Sequence, residues 1–173
     1  IMAAIDNAVH DVAAKALGVP LYKLLGGHKR DVITPYRSIL PGTPQGRTWK
    51  QLQEKAYTDL QRAVEKGYRA FKIQALFYDA CTDQQLAELT HRCRAIIGPD
   101  RELMIDVGYR WRHATDAIRA IRLMEQDRLF FMETPIHTDN LDGYAQLAAA
   151  VDTPIALGEL LSSRFEFLEC MTR

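Results

Sequence analysis

Leu103-Met104-Ile105-Asp106-Val107 is a short apolar run carrying one acid near its end. The pattern returns in Leu129-Phe130-Phe131-Met132-Glu133 and again in Pro154-Ile155-Ala156-Leu157-Gly158, followed directly by Glu159. The acids are separated by 27 residues (106 to 133) and 26 residues (133 to 159). Runs this apolar suit strands buried on both faces, as in a parallel sheet covered by helices. The intervals agree, because Thr115–Gln126 and Leu141–Ala150 are helical by period.

The alternation extends in both directions. Upstream, Ala70-Phe71-Lys72-Ile73-Gln74 reads as a second strand and Val32-Ile33-Thr34-Pro35-Tyr36 as a first. Pro41, Gly42, Pro44 and Gly46 mark a loop between them. Thr48 with Gln51, and Thr82 with Gln85, have capping-box spacing. The first of these helices runs to about Lys66 with Gly67 as its stop, and the second ends before Gly98-Pro99. Downstream, Arg164–Met171 begins another helix. At the start, Ile1, Ile5, Val9, Val12, Ala13, Ala16 and Leu17 have helical spacing, and Leu21, Leu24 and Leu25 make a short turn before Gly26-Gly27. Five strands alternating with helices fit either an open doubly wound sheet or a (β/α) barrel. No GxGxxG or GxxxxGK[ST] follows the first strand, which weighs against a nucleotide-binding open sheet. A full barrel takes about 250 residues, so a chain of 173 supplies about five of its eight units.

Composition narrows the class. The chain is 47% hydrophobic and 25% charged, with 22 basic and 22 acidic residues. Without a basic excess, a nucleic-acid surface is not expected. No apolar run is long enough to span a bilayer, and no signal peptide is visible. Cys81, Cys93 and Cys170 are too few and too scattered for a disulfide framework, which suits a reducing cytoplasm. The chain opens on Ile1 rather than Met, inside a helical pattern, so it is expected to be part of a longer protein.

In a parallel barrel, the C-terminal strand ends share one mouth. Asp106, Glu133 and Glu159 would then surround one point. Three carboxylates crowded together repel and take up protons unless a cation intervenes. Hard oxygen ligands favour Mg²⁺. The competing reading makes each acid a helix cap or a surface ion pair, but three in register fit it poorly. Lys72 and Gln74 lie two apart on the second strand, hence on one face. If that face is the barrel interior, the Lys72 ammonium stands beside the carboxylates. Tyr36 and Arg37, read as the end of the first strand, and His137, just after the fourth, could touch a substrate at the mouth. Otherwise they are solvated loop residues, as is His113. Tyr109-Arg110-Trp111-Arg112 reads as a loop packed by its tryptophan. His10 and Asp11 read as structural, and His91 and Cys93 are too poorly spaced on a helix to share a metal.

These residues resemble the enolase superfamily, specifically its mandelate racemase / muconate lactonizing group. Ala4-Ile5-Asp6-Asn7-Ala8-Val9-His10-Asp11 through Leu24-Leu25-Gly26-Gly27 is similar to the group's "A-[IL]-D-x-A-x-x-D…L-L-G-G" segment. Phe71-Lys72-Ile73-Gln74 stands where the group carries Lys-x-Lys, while Ile105-Asp106, Glu133-Thr134-Pro135 and Gly158-Glu159 resemble its three metal-ligand motifs. The resemblance implies a (β/α)7β barrel, of which about five βα units are visible. It implies residues 1–30 as a helical segment leading from a separate capping domain, and 31–173 as the N-terminal part of the barrel. It also implies Mg²⁺-assisted removal of the proton α to a carboxylate, with stabilisation of the enolate. The resemblance further implies a Lys or His base working with Mg²⁺, as in enolase-superfamily sites. Asp106, Glu133 and Glu159 would be the metal ligands, Lys72 and Gln74 the catalytic pair, and Arg37 and His137 substrate-binding residues.

Two departures shape the expected reaction. Gln74 replaces the second lysine, and an amide cannot take a proton. Gly108 stands two after Asp106, where the group often has Asn. Two-base racemisation is therefore disfavoured. Dehydration of an acid sugar by one base, a histidine the resemblance places beyond Arg173, fits better. The expected partner is a small carboxylate-bearing substrate, with the chain forming a homo-oligomer or joining the remainder of a longer polypeptide. One alternative is a catalytically incomplete barrel piece that binds metal or serves as a scaffold. Another is an unrelated α/β enzyme whose strand-end acids act separately.

Overall fold

Thr48 and Thr82 each close a capping box. Their hydroxyls accept from the Gln51 and Gln85 amides, and those glutamine side chains accept from the threonine amides. They start α3 (Trp49–Glu65) and α4 (Asp83–Ile97). Before them stand α1 (Met2–Ala16) and α2 (Leu21–Leu24). After them follow α5 (Ala114–Arg122), α6 (Leu141–Ala150) and α7 (Arg164–Thr172). The strands are β1 (Arg37–Ile39), β2 (Ala70–Gln74), β3 (Glu102–Asp106), β4 (Phe131–Glu133) and β5 (Ile155–Ala156). This is a computed structural model, describing residues 2–173, so Ile1 of the expected first helix lies outside the described residues.

The strands form one sheet in the order β1-β2-β3-β4-β5, parallel throughout. That is the expected α/β alternation, five βα units of a partial barrel. Strand pleating divides its side chains. Phe71, Ile73, Leu103, Ile105 and Met132 face the helices and are buried with Leu52, Leu60, Leu86, Leu89, Ile97 and Ile121. Each such side chain contributes roughly 1.5–3 kcal/mol by leaving water. Lys72, Gln74, Met104, Asp106 and Glu133 therefore project from the opposite, interior face.

The fourth and fifth strands form over shorter spans than expected, Phe131–Glu133 and Ile155–Ala156, and two other elements differ more. The first strand was expected at 32–36 but forms at 37–39. Val32 and Ile33 are exposed, and Pro35 has no amide to donate to a ladder. The helix expected over 115–126 ends at Arg122, and a 3-10 turn at Glu125–Asp127 leads to Arg128 in the left-handed region. That turn is tied down by Arg94, whose guanidinium donates to the carbonyls of Asp127 (2.7 Å) and Arg128 (3.0 Å).

The chain divides into two compact units. One runs from Pro35 to Glu159, with Arg173, and holds the whole sheet. The other joins the residues up to Thr34 with Leu160–Thr172 and contains α1, α2 and α7. No helix among the described residues is long and apolar enough to cross a membrane.

Candidate active site

Register builds the site. Gln74 is paired with Asp106, Asp106 with Glu133, and Glu133 with Ala156. Three polar interior-facing side chains thus stand side by side on adjacent strand ends. Lys72 lies one interior position below Gln74. Its ammonium donates to Glu133 Oε2 at 2.5 Å and stands 3.8 Å from Asp106 Oδ2. It also lies over the Tyr36 ring, 5.3 Å from the centroid. Burial alone would lower the lysine's pKa. The hydrogen bond and charge of Glu133, then the charge of Asp106, outweigh burial, and the net direction is up.

Asp106 is buried. Its Oδ1 accepts from the Gly108 amide (3.2 Å) and the Thr134 hydroxyl (3.3 Å). Burial, then the charge of Glu133, raises its pKa above the usual carboxylate range. Lys72 and the Gly108 amide oppose the shift, and Glu159 adds to it. Glu159 is exposed and accepts a hydrogen bond from the Tyr109 hydroxyl. Burial and then that bond push the phenol's pKa upward.

The backbone is distorted around these acids. Gly108 (φ 50°), Tyr109 (φ 61°), Thr134 (φ 45°) and Gly158 (φ 129°) all follow the ends of β3, β4 and β5. A β-branched threonine with positive φ is a genuine outlier, and such strain gathers at functional sites. In the sequence Thr134 stands only as a neighbour of Glu133 in the Glu133-Thr134-Pro135 motif, and Tyr109 only as part of a loop. No local sequence signal marks a non-glycine residue for the left-handed region, so both were missed as site residues.

Lys72 and Tyr109 divide the three acids between them. Asp106 and Glu133 gather around Lys72 while Glu159 turns to Tyr109. Among the described residues no three His, Cys, Asp or Glu side chains form a ready group for a metal. Lys72 satisfies Asp106 and Glu133, Tyr109 satisfies Glu159, and the three acids lie within electrostatic reach of one another. The donor set still suits a hard divalent cation. It is all carboxylate oxygen, and the raised pKa of Asp106 comes partly from two neighbouring acids whose repulsion such a cation would relieve.

The structure corrects the placement of Arg37. It opens β1 rather than following it, and shares its face with buried Ile39. With Asp59, Arg62 and Lys66 it lines a cleft of about 410 Å³ on the helix side of the sheet. Tyr36, one residue earlier, faces Lys72 instead. His137 lies beside the site, its ring tilted against Tyr109 with centroids 5.4 Å apart.

Residues 55–173 match the family described as "Enolase C-terminal domain-like". Residues 1–26 match the N-terminal domain of the mandelate racemase / muconate lactonizing enzyme family. The chain belongs to the enolase superfamily, in its mandelate racemase / muconate lactonizing group. Within that group it is 36% identical to L-talarate/galactarate dehydratase of Salmonella typhimurium, covering 92% of this chain and 37% of that enzyme. It is 32% identical to D-galactonate dehydratase of Variovorax paradoxus, covering 96% and 42%. The solved L-talarate/galactarate dehydratase from Salmonella typhimurium LT2, liganded with Mg and L-lyxarohydroxamate, superimposes with a TM-score of 0.77 at 32% identity. That match covers 97% of this chain and 40% of that structure. The chain therefore spans about two-fifths of the length of these relatives.

Proposed function

We propose that the intact protein is an Mg²⁺-dependent dehydratase of acid sugars or related hydroxy acids. The observation that carries this reading is the Gln74–Asp106–Glu133 register pairing with the Lys72 ammonium set between the two acids. The acid-sugar dehydratases among the relatives, one solved with Mg, support it.

Asp106, Glu133 and Glu159 would hold Mg²⁺, which when bound supplies positive charge against the second negative charge that develops on a substrate carboxylate. The chain's own residues do the rest. Lys72, kept protonated by its two acids, donates to a substrate carboxylate oxygen and does not take the proton. Gln74 shares its face and can hydrogen-bond a substrate oxygen, but an amide has no basic site. The α-proton therefore leaves to a base other than these two. The α C–H electron pair moves onto the substrate carboxylate as an enolate, and returns to form the Cα=Cβ bond as the β C–O bond breaks. The hydroxyl departs as water with the proton returned by that same base, and the enol tautomerises to a 2-keto-3-deoxy acid.

Titration calorimetry of Mg²⁺ into the intact protein and its Glu133→Gln variant tests the metal site, and unchanged affinity in the variant ends the proposal. An acid-sugar library assayed for 2-keto product tests the reaction. Deuterium incorporation at the α-carbon without keto acid from any substrate would assign racemisation or epimerisation instead.

A further inference from the structure

The loop Gly108-Tyr109-Arg110-Trp111 takes no part in the chemistry above, yet it is among the most firmly tied segments of the sheet unit. The Arg110 guanidinium donates to the Tyr78 carbonyl (2.6 Å), the Cys81 carbonyl (2.6 Å) and Asp83 Oδ1 (3.0 Å). The Trp111 indole donates to both oxygens of the same Asp83, each at 3.1 Å. The Trp111 amide donates to the Pro135 carbonyl (3.0 Å), and the Tyr109 amide to the Thr134 carbonyl (2.7 Å). The loop is thus fastened on one side to the start of α4 and on the other to the segment after β4. Between these anchors Tyr109 is held at φ 61° with its ring against His137.

Glu159 presents the opposite case. It follows a strand of only two residues and a glycine at φ 129°, and its side chain is exposed. A glutamate has three side-chain torsions, whose freedom is lost when the carboxylate is held in one place. The partner found for it is the Tyr109 hydroxyl. We infer that Tyr109 is the positioning residue for Glu159, transmitting the rigidity of the Arg110–Trp111 clamp to the least anchored of the three acids. The phenol occupies one carboxylate oxygen and leaves the other to turn toward Asp106 and Glu133. Partners behind a ligand commonly set metal affinity in this way. The inference rests on the Mg²⁺ reading of the three acids.

The test uses Tyr109→Phe, Glu159→Gln and their double variant in the intact protein, with Glu133→Gln as the control on the reading itself. Phe keeps the ring against His137 and removes only the hydroxyl. Tyr109→Phe is expected to weaken Mg²⁺ binding roughly 10-fold, and to have less than about a 2-fold effect once Glu159 is already Gln, since sites that act through one another are non-additive. A merely structural tyrosine would give the same loss in both backgrounds. In metal-free protein, Glu159→Gln is also expected to shift the tyrosine ultraviolet band that Tyr109→Phe removes. Equal losses in both backgrounds, no loss, or an unshifted band in Glu159→Gln overturns the inference. If any of these appears while Glu133→Gln abolishes binding, Tyr109 alone was misread. If Glu133→Gln binds as wild type does, the metal site and the inference fall together.

Discussion

Replacing Lys72 with Met should expose the repulsion that the ammonium now offsets. Asp106 and Glu133 are register partners on adjacent strands, and strand spacing places such neighbours ~5 Å apart. Two unit charges at ~5 Å repel by about 3 kcal/mol at an effective dielectric of ~20. Lys72, 2.5 Å from one acid and 3.8 Å from the other, cancels most of this. Methionine keeps the length of the stem and little else. In EDTA at neutral pH, Lys72→Met should lose about 2–3 kcal/mol, equivalent to a fall of roughly 5–10 °C in Tm for a chain of this size. Differential scanning calorimetry with and without Mg²⁺ measures it. The loss should shrink on adding Mg²⁺, because the cation replaces the missing charge. It should also shrink on acidification. Burial and the Glu133 charge already hold the Asp106 pKa above the ordinary carboxylate range. An acid raised in the folded state gives stability that is present at low pH and lost as pH rises through the folded value. The variant, lacking the opposing ammonium, should show that recovery over a wider pH range than wild type. An unchanged Tm in EDTA, or a loss that neither Mg²⁺ nor acid restores, would refute the assignment of Lys72 as counter-charge to both acids.

Three further outcomes follow from other parts of the structure. Gly108→Ala should lose about 1 kcal/mol from positive φ alone, since the Leu76 methyl that its Cβ would meet is the movable end of a side chain; Gly108→Asn should lose less, as Asn tolerates that region, and chemical denaturation compares them. Thr82→Ala removes one half of the capping box of α4 and should cost about 1 kcal/mol by urea unfolding. Burial, then the charge of Asp127, pushes the Cys93 thiol up to about 12. Mass spectrometry after iodoacetamide treatment at mildly alkaline pH should therefore find Cys170, which is partly exposed, modified in the folded protein, and Cys93 modified only after denaturation.

Much of the fold was legible in the sequence because its signals are local. Thr48/Gln51 and Thr82/Gln85 capping boxes depend on four consecutive residues, and both formed. The buried strands Ala70–Gln74 and Glu102–Asp106 stand where apolar runs placed them, within one residue. The first strand slipped because Val32 and Ile33 have strand propensity but no strand pairing among the described residues, whereas Arg37–Ile39 pairs with Phe71–Ile73 of β2. Pairing, which is non-local, decided between them. That shift alone carried Arg37 to the helix side of the sheet and left Tyr36 facing Lys72.

For the three acids, sequence by itself determined their order, their spacing at strand ends and, through the family motifs, the chemistry to expect of them. It could do so because one strand–helix unit separates each from the next, and the unit's length is written in the chain. Only the tertiary structure decided which side chains satisfy them. Lys72 reaches Asp106 and Glu133 because parallel register brings β2, β3 and β4 side by side. Tyr109 reaches Glu159, 50 residues on, because the loop between β3 and α5 is fastened by Arg110 and Trp111. Contacts across such separations depend on register and loop anchoring, which no window of neighbouring residues encodes.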